Sequence, residues 1–252
     1  PAIAVSTISA SASAVQYDLA NGDVTIDQDE HKGAYSYQGE DKENNRTYVN
    51  EDEKDDGKII IKQNDKETAT SNTVTVQEDV KKTEDGRDVD IVIDGVNADT
   101  SETGKSTVTV GEGADVDLTV KDSTLTTGGN GIDIGVNLKD DDDNKETNVD
   151  LTLDNTKINL TENATAGINA RDNSDVDITL KGDNTIDGSE AIDKVTEGGG
   201  HDISKDNVNI EGIRVGGEGA SDSSDASEGA NTKLTISGGV EKTETAETDI
   251  ED

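Results

Sequence analysis

The chain has 252 residues and a formal net charge of -36, from 58 acidic and 22 basic residues. It contains four tyrosines but no Phe, Trp, Met or Cys, and 29% of its residues are hydrophobic. This composition excludes a thick core built on aromatic side chains, and so acidic a surface repels nucleic acid and anionic membranes. Charge and hydropathy alone would indicate disorder. The apolar residues, however, lie in short alternating runs, which suit a repeat fold with one thin core layer per repeat.

The first 14 residues, PAIAVSTISASASA, are small and uncharged, unlike the rest of the chain. Two interpretations of residues 1–20 remain open. The segment ends in A-x-A, which fits a signal-peptide remnant with a mature chain that starts at Val15. Alternatively, Ile3 and Val5 alternate with small residues, which predicts a strand that exchanges into a neighbouring subunit. No stretch of the sequence approaches the ~20 apolar residues of a transmembrane helix.

Three short apolar runs then predict the opening strands, at Val24–Ile26, Lys58–Lys62 and Thr73–Val76. Between them, Tyr35 and Tyr37 form the best candidate platform for stacking against a glycan. Their alternative role is to pack over the open end of a repeat fold as a cap.

Four later segments share one pattern, in which Val, Ile or Leu alternates with acidic residues or threonine. They are Asp88–Asp94, Asp115–Lys121, Asn148–Asp154 and Asp175–Lys181, with a degenerate fifth at Thr232–Ser237. The first valines, at positions 89, 116, 149 and 176, are 27, 33 and 27 residues apart. Each segment is followed by a turn of Asp, Gly or Asn and a second apolar run, at Val96, Leu125, Ile158 and Ile186. A third run follows, at Ser106–Val110, Gly131–Val136, Gly167–Ala170 and Gly212–Val215.

Three short strands per repeat, separated by turn residues, are typical of one coil of a parallel β-helix. The sequence therefore predicts an all-β fold, a right-handed parallel β-helix in a single domain over residues 21–240, with an acidic tail or cap at residues 241–252. The alternative is a β-sandwich of the immunoglobulin type, although that fold should carry a buried aromatic residue and larger core residues.

Several of these segments resemble a group of bacterial secreted and cell-surface proteins described as carbohydrate-binding domain-containing. The likeness lies in Asn21–Ile26, Asp88–Val96, Leu180–Thr185 and Leu234–Gly239, and extends as a pattern over roughly residues 17–240. The resemblance implies a β-helix, export, and attachment to the cell exterior. It identifies no sugar-contacting residues in this chain.

If the repeated segments stack in register, their outward residues form rows about 4.8 Å apart. One row contains Asp90, Asp117, Asp150 and Asp177 and ends against Lys233; the row beside it contains Asp88, Asp115, Asn148 and Asp175; a third contains Val92, Thr119, Thr152, Thr179 and Thr235. A fourth row alternates in sign: Asp94, Lys121, Asp154 and Lys181.

Carboxylates stacked at this spacing must raise some of their pKa values or recruit cations, and oxygen ligands suit Ca²⁺. We therefore expect structural Ca²⁺ at six aspartates of these two rows, Asp90, Asp117, Asp150, Asp177, Asp115 and Asp175, and at Asp141 and Asp143 in an acidic run. A hydrated acidic face without specific ions is the open alternative.

These features predict a non-catalytic, secreted structural protein, a subunit of a cell-surface fibre, layer or matrix. We expect self-association through the N-terminal strand or the ends of the β-helix, with glycans as a further candidate partner. We expect no nucleic-acid partner and no membrane span. The alternatives are a carbohydrate-binding surface adhesin and, with less support, a polysaccharide lyase or hydrolase. The enzyme alternative is weak because His31 and His201 lie far apart outside the repeats, and because the aspartates recur as repeat positions.

Overall fold

The structure is a computed structural model. It describes residues 14–30, 32–49, 58–81, 88–139, 145–161, 164–189, 211–215 and 233–238. The described residues form 19 β-strands in three sheets and one short 3-10 helix, Leu19–Asn21. Of the paired strands, only Val24–Asp29 with Gly33–Gln38 and Gly33–Gln38 with Thr47–Tyr48 run antiparallel. The predicted all-β fold with parallel sheets is therefore confirmed, and the pairing does not match the antiparallel sheets of an immunoglobulin-type sandwich.

Sheet A has seven strands. In spatial order they are β1 (Val15–Asp18), β5 (Lys58–Lys62), β7 (Val89–Asp94), β10 (Asp115–Lys121), β13 (Thr147–Asp154), β16 (Ser174–Lys181) and β19 (Lys233–Gly238). Sheet A thus begins at Val15, and the four repeated segments are four adjacent strands of it.

Sheets B and C hold the remaining strands. Sheet B runs in the order β18 (Glu211–Val215), β15 (Ala166–Ala170), β12 (Ile132–Val136), β9 (Val108–Gly111), β6 (Val74–Val76), β2 (Val24–Asp29), β3 (Gly33–Gln38) and β4 (Thr47–Tyr48). Sheet C runs in the order β17 (Thr185–Asp187), β14 (Lys157–Leu160), β11 (Thr124–Thr127) and β8 (Asn97–Asp99). Within the part of the chain that the structure describes, none of the three sheets closes on itself.

From β7 to β18 the chain visits the sheets in a fixed order, A then C then B, four times. The visits are β7-β8-β9, β10-β11-β12, β13-β14-β15 and β16-β17-β18. Each strand pairs in parallel with the strand that occupies the same sheet in the next visit. The three predicted runs of each repeat therefore lie in three different sheets.

Aliphatic ladders form the core between the sheets. The longest fully buried ladder of sheet A is Ile59, Ile91, Leu118, Leu151 and Ile178. Its counterpart in sheet B is Val24, Val74, Val108, Ile132 and Ile168. Burying an aliphatic side chain of this size stabilises the fold by about 1.5–3 kcal/mol, so repeated small residues can supply a core that lacks Phe and Trp.

One strand register of sheet C differs from the sequence prediction. Val96 was grouped with Leu125, but the residue opposite Leu125 is Ala98. Val96 is nevertheless buried, at the turn just before β8. The sequence analysis assigned this core position to Val96, the larger residue, but Ala98 occupies it in the structure.

The corner after each repeated strand of sheet A uses a left-handed residue. Gly95, Asp122, Asn155 and Gly182 directly follow β7, β10, β13 and β16, with φ of 66°, 46°, 50° and 64°. Glycine, and to a lesser degree Asn and Asp, adopt this conformation at little steric cost. The predicted Asp, Gly or Asn turns are therefore confirmed as one recurrent corner.

The N-terminal end of the fold carries an antiparallel meander. The sequence offered a cap over an open end as the alternative role of Tyr35 and Tyr37, but it did not predict these strands. Strands β3 and β4 extend sheet B beyond β2 as an antiparallel meander. Leu19 of the 3-10 helix, Ala34 of β3 and Val49 just after β4 are all buried in the core. This end of the aliphatic core is thereby covered.

Candidate functional site: an acidic face of sheet A

The outward side of sheet A presents a row of acids on four neighbouring strands. Asp117 lies opposite Asp90 on one side and opposite Asp150 on the other, and Asp150 lies opposite Asp177. The inward Val, Ile and Leu ladders hold this register, because alternate residues of a strand point to opposite faces. The sequence-predicted alignment of these four aspartates is confirmed.

A lysine lies opposite the first aspartate of this row, but no lysine lies opposite the last one. At its start Lys58 pairs with Asp90, and Lys58 Nζ lies 2.9 Å from Asp90 Oδ2. At its far side Asp177 lies opposite Thr235, not Lys233. The prediction for Lys233 was therefore wrong.

The error is a register shift of two residues in the last repeat. Lys233 lies opposite Asp175 in the neighbouring acidic row, and the threonine row ends at Ser237 instead of Thr235. A shift of two keeps the apolar residues of β19 opposite core-facing residues of β16, since Leu234 lies opposite Val176 and Ile236 opposite Ile178. The alternating pattern alone does not distinguish the two registers.

The two acidic rows border a shallow surface depression of about 170 Å³. Its charged lining residues are all acidic: Asp115, Asp117, Asp150, Asp175 and Asp177. Asn148 completes the polar lining, and Val116 and Val149 also border the depression. The structure therefore brings together five of the eight residues that were predicted as metal ligands, with Asp90 on the adjoining strand.

Asp117 is the most perturbed residue of this face. It is half-buried, and burial together with the negative charges of Asp150, Asp88, Asp90 and Asp115 raises its pKa above the usual value. Both effects disfavour the ionised carboxylate. Protonation of Asp117 therefore lowers the repulsion among the carboxylates of this face.

The alternating row lies four residues beyond Asp90, Asp117, Asp150 and Asp177 on the same strands, on the far side of the threonine row. It is longer than the sequence indicated, and runs Asp18, Lys62, Asp94, Lys121, Asp154 and Lys181 across six strands. Lys121 Nζ lies 3.0 Å from Asp94 Oδ2. Sheet A therefore carries one row that alternates in charge and one row in which three neighbouring pairs are like-charged.

Within the described ranges, no group of three or more His, Cys, Asp or Glu side chains is arranged so that it could hold a metal ion. The acidic face is thus a row of carboxylates and not a closed coordination sphere. Asp141 and Asp143 lie outside the described residues. The lysines that flank that run, Lys139 and Lys145, both bind Asp79 Oδ2, at 3.5 and 2.9 Å.

The two candidate glycan-binding tyrosines differ in accessibility. Tyr35 is only 4% exposed, its hydroxyl donates to Asp27 Oδ2 at 2.8 Å, and the guanidinium of Arg46 lies 4.1 Å from its ring centroid. Tyr37 is half-buried and stacks on Tyr35 with 6.3 Å between ring centroids. Tyr48 closes the group at 5.4 Å from Tyr35. The ring faces of Tyr35 are thus occupied by neighbouring side chains.

A buried ion pair on sheet B was not predicted as such. Asp133 is 5% exposed, and accepts hydrogen bonds from Arg171 Nε at 3.1 Å and Arg171 Nη2 at 2.9 Å. Asn169, directly opposite on β15, donates to Asp133 Oδ1 at 2.8 Å. The sequence signal was an aspartate at an outward position where the preceding strands of sheet B carry threonine, because Asp133 lies opposite Thr109 of β9, which lies opposite Thr75 of β6. Arg171, which pairs with Asp133, lies just after β15, so the alternating pattern of the strands does not predict the contact.

No family model, curated protein or solved structure matches this chain. No helix among the described residues is long and apolar enough to cross a membrane.

Proposed function

We propose that the chain is a non-catalytic structural protein of the cell exterior. It is a right-handed parallel β-helix that serves as the subunit of a surface fibre, layer or matrix, and Ca²⁺ stabilises its acidic face. The observation that carries the proposal is the in-register repetition of the same outward residues on β7, β10, β13 and β16.

The chain path supports a β-helix. Four successive passes through sheets A, C and B, each stacked in parallel on the last, are what coils of such a helix produce. The right hand follows from the strong preference of parallel strand connections for right-handed crossovers.

The distribution of the polar groups supports a structural role. Catalysis needs different groups that converge on one point, such as a nucleophile, a base and a stabilising donor. On sheet A the same group recurs strand after strand, and the depression bordered by Asp117 and Asp150 has only acidic charged residues in its lining. A polysaccharide-cleaving enzyme would also need a basic or aromatic group there to hold the sugar.

The electrostatics support cation binding. Like charges directly opposite each other on neighbouring strands destabilise a sheet by about 0.2–1 kcal/mol per pair. Three such pairs link Asp90, Asp117, Asp150 and Asp177. Ca²⁺ accepts carboxylate and water oxygens in flexible geometry, so a partly hydrated ion can lie across two strands without three preformed ligands.

The carbohydrate-binding alternative depends on Tyr37 and on the family resemblance. Tyr37 presents part of its ring, whereas Tyr35 is enclosed by Arg46 and Asp27. A glycan array with the native chain and Tyr37→Ala separates this function from the structural one. Binding that disappears in the variant would favour the adhesin.

The proposed function is tested by the size of the full chain in solution. Sedimentation velocity with millimolar Ca²⁺ should show species larger than one chain of 26.4 kDa, and EDTA should shift the population towards the single chain. A single chain under both conditions, at concentrations up to the millimolar range, would overturn the assembly role.

A further inference from the structure

Among the described residues, the aliphatic core is covered at the N-terminal end and exposed at the opposite end. At the N-terminal end Leu19 and Ala34 are fully buried. At the opposite end Ile236 of β19 is 51% exposed, although it belongs to the same ladder as Ile178, which is 1% exposed. Val215 of β18 is likewise 39% exposed. Two of the three sheets therefore expose apolar residues at the same end.

The outer edge of β19 is an acceptor for a further strand. Its described pairing is with β16 on one side only, over Lys233–Gly238. An edge of this kind offers a row of backbone donors and acceptors to an added strand. Leu234 and Ile236 lie in register with core-facing residues of β16, so a partner strand needs apolar residues at a spacing of two.

We propose that this edge accepts residues 2–7 of a second copy of the chain, which adds them to sheet A as a parallel strand. The inference rests on the proposed function as an assembly subunit and names the contact that builds the assembly. In the matching register Ile3 lies opposite Leu234, Val5 opposite Ile236 and Thr7 opposite Gly238. Ala2, Ala4 and Ser6 then face outward.

Composition favours this segment over the two that flank β19 in sequence. Residues 216–232 contain no Val, Ile or Leu, and residues 239–252 carry six acidic side chains. Residues 1–14 contain no charged side chain in a chain with a net charge of -36. The N-terminal segment therefore supplies apolar residues at the required spacing without adding repulsion beside the acidic rows.

Chain length favours a second copy over the same molecule. Strand β1 lies six strand spacings from β19, about 29 Å. The eight steps from Thr7 to Val15 span at most about 26–29 Å when fully extended. A parallel arrangement must also return along the length of a strand, roughly 15 Å, which places the combined distance out of reach. A neighbouring molecule is under no such constraint.

The test uses the full chain in Ca²⁺ and two pairs of variants. Within each pair the same charge is added either to the core-facing side or to the outward side of one strand. Val5→Asp places a charge on the core-facing side of the donor segment, and Ser6→Asp places the same charge on its outward side. Ile236→Asp and Ser237→Asp do the same on β19. Far-UV circular dichroism confirms that each variant retains its β-structure.

We expect sedimentation to show assemblies for the native chain, Ser6→Asp and Ser237→Asp, and single chains for Val5→Asp and Ile236→Asp. An equimolar mixture of the two single-chain variants should give a dimer and nothing larger, because one supplies an intact acceptor and the other an intact donor. Intact mass measurement of the assembled protein should include residues 2–7.

Three results would overturn the inference. If Val5→Asp assembles like the native chain, or if the assembled protein lacks residues 2–7, the donor segment is wrong while the structural role stands. If the native chain remains single with Ca²⁺, both the inference and the proposed function fail.

Discussion

Asp117 lies directly opposite Asp150 on the neighbouring parallel strand of sheet A. The two carboxylates are held there by the core, because Val116 meets Val149 and Leu118 meets Leu151 on the buried face of the same strands. Hydrophobic packing thus fixes an arrangement that electrostatics alone would disfavour.

The first prediction compares two aspartates of the same strand, β13. Asp150 lies between Asp117 and Asp177, whereas Asp154 lies between Lys121 and Lys181. Asp150→Asn removes two like-charge pairs, so in low salt without divalent ions we expect its Tm to rise by about 1–4 °C. Asp154→Asn removes two opposite-charge pairs and should lower Tm by a similar amount.

The measurement for this pair is thermal unfolding followed by circular dichroism. Addition of 0.5 M NaCl should shrink both differences, since salt screens charges at the surface. Changes of the same sign in the two variants would show that the rows are not stacked as described.

The second prediction concerns pH. The pKa of Asp117 is raised in the folded chain by burial and by neighbouring carboxylates, so the folded state binds its proton more tightly than the unfolded state does. The unfavourable contribution of Asp117 is therefore fully present above its folded pKa. It disappears as pH falls towards the unfolded value of about 4.

Asp117→Asn should consequently be more stable than the native chain at pH 7, and this advantage should shrink to nothing by about pH 4. Melting curves of both proteins from pH 3 to 8 without divalent ions measure the difference, in which carboxylates remote from Asp117 cancel. An advantage that does not depend on pH would contradict the assigned cause of the shift.

The third prediction tests the stacking through glycine. A Cβ added at Gly131 would lie 2.5 Å from Gly167 O and 2.6 Å from Ile158 Cγ2. Gly212 is the equivalent glycine on β18, the edge strand of sheet B next to β15 in the described part of the chain. A Cβ added at Gly212 would meet nothing within 4 Å. Gly131→Ala should therefore destabilise the fold by about 1–3 kcal/mol, whereas Gly212→Ala should stay within about 0.5 kcal/mol.

Urea unfolding of the two glycine variants gives both values directly. Equal destabilisation by the two substitutions would mean that β18 is covered by a further strand, and equal tolerance would mean that the neighbouring strands are not packed as closely as in sheet B.

The sequence predicted those parts of the fold that repeat. The spacing of Val89, Val116, Val149 and Val176 placed four strands side by side, and the period of two assigned the inward and outward faces correctly. These features could be predicted because the same residue pattern occurs in every repeat. The stacked aspartates of the candidate site follow from the same rule.

Features that occur once were missed for equally physical reasons. The meander of β3 and β4 depends on antiparallel pairing with β2, whereas the repeated strands pair in parallel and give no indication of it. The bidentate pair of Asp133 and Arg171 joins residues of two different repeats. The register of β19 differs from the expected one by two residues. A pattern with a period of two is the same after such a shift, so it could not predict the register.

The most direct test of the account is thermal unfolding of the full chain in EDTA and in increasing Ca²⁺, with NaCl of equal ionic strength as the control. We predict that millimolar Ca²⁺ raises Tm well beyond the NaCl control, and that Asp117→Asn and Asp150→Asn each reduce this increase. An identical Tm in EDTA and in Ca²⁺ would contradict the claim that the stacked carboxylates of sheet A bind cations.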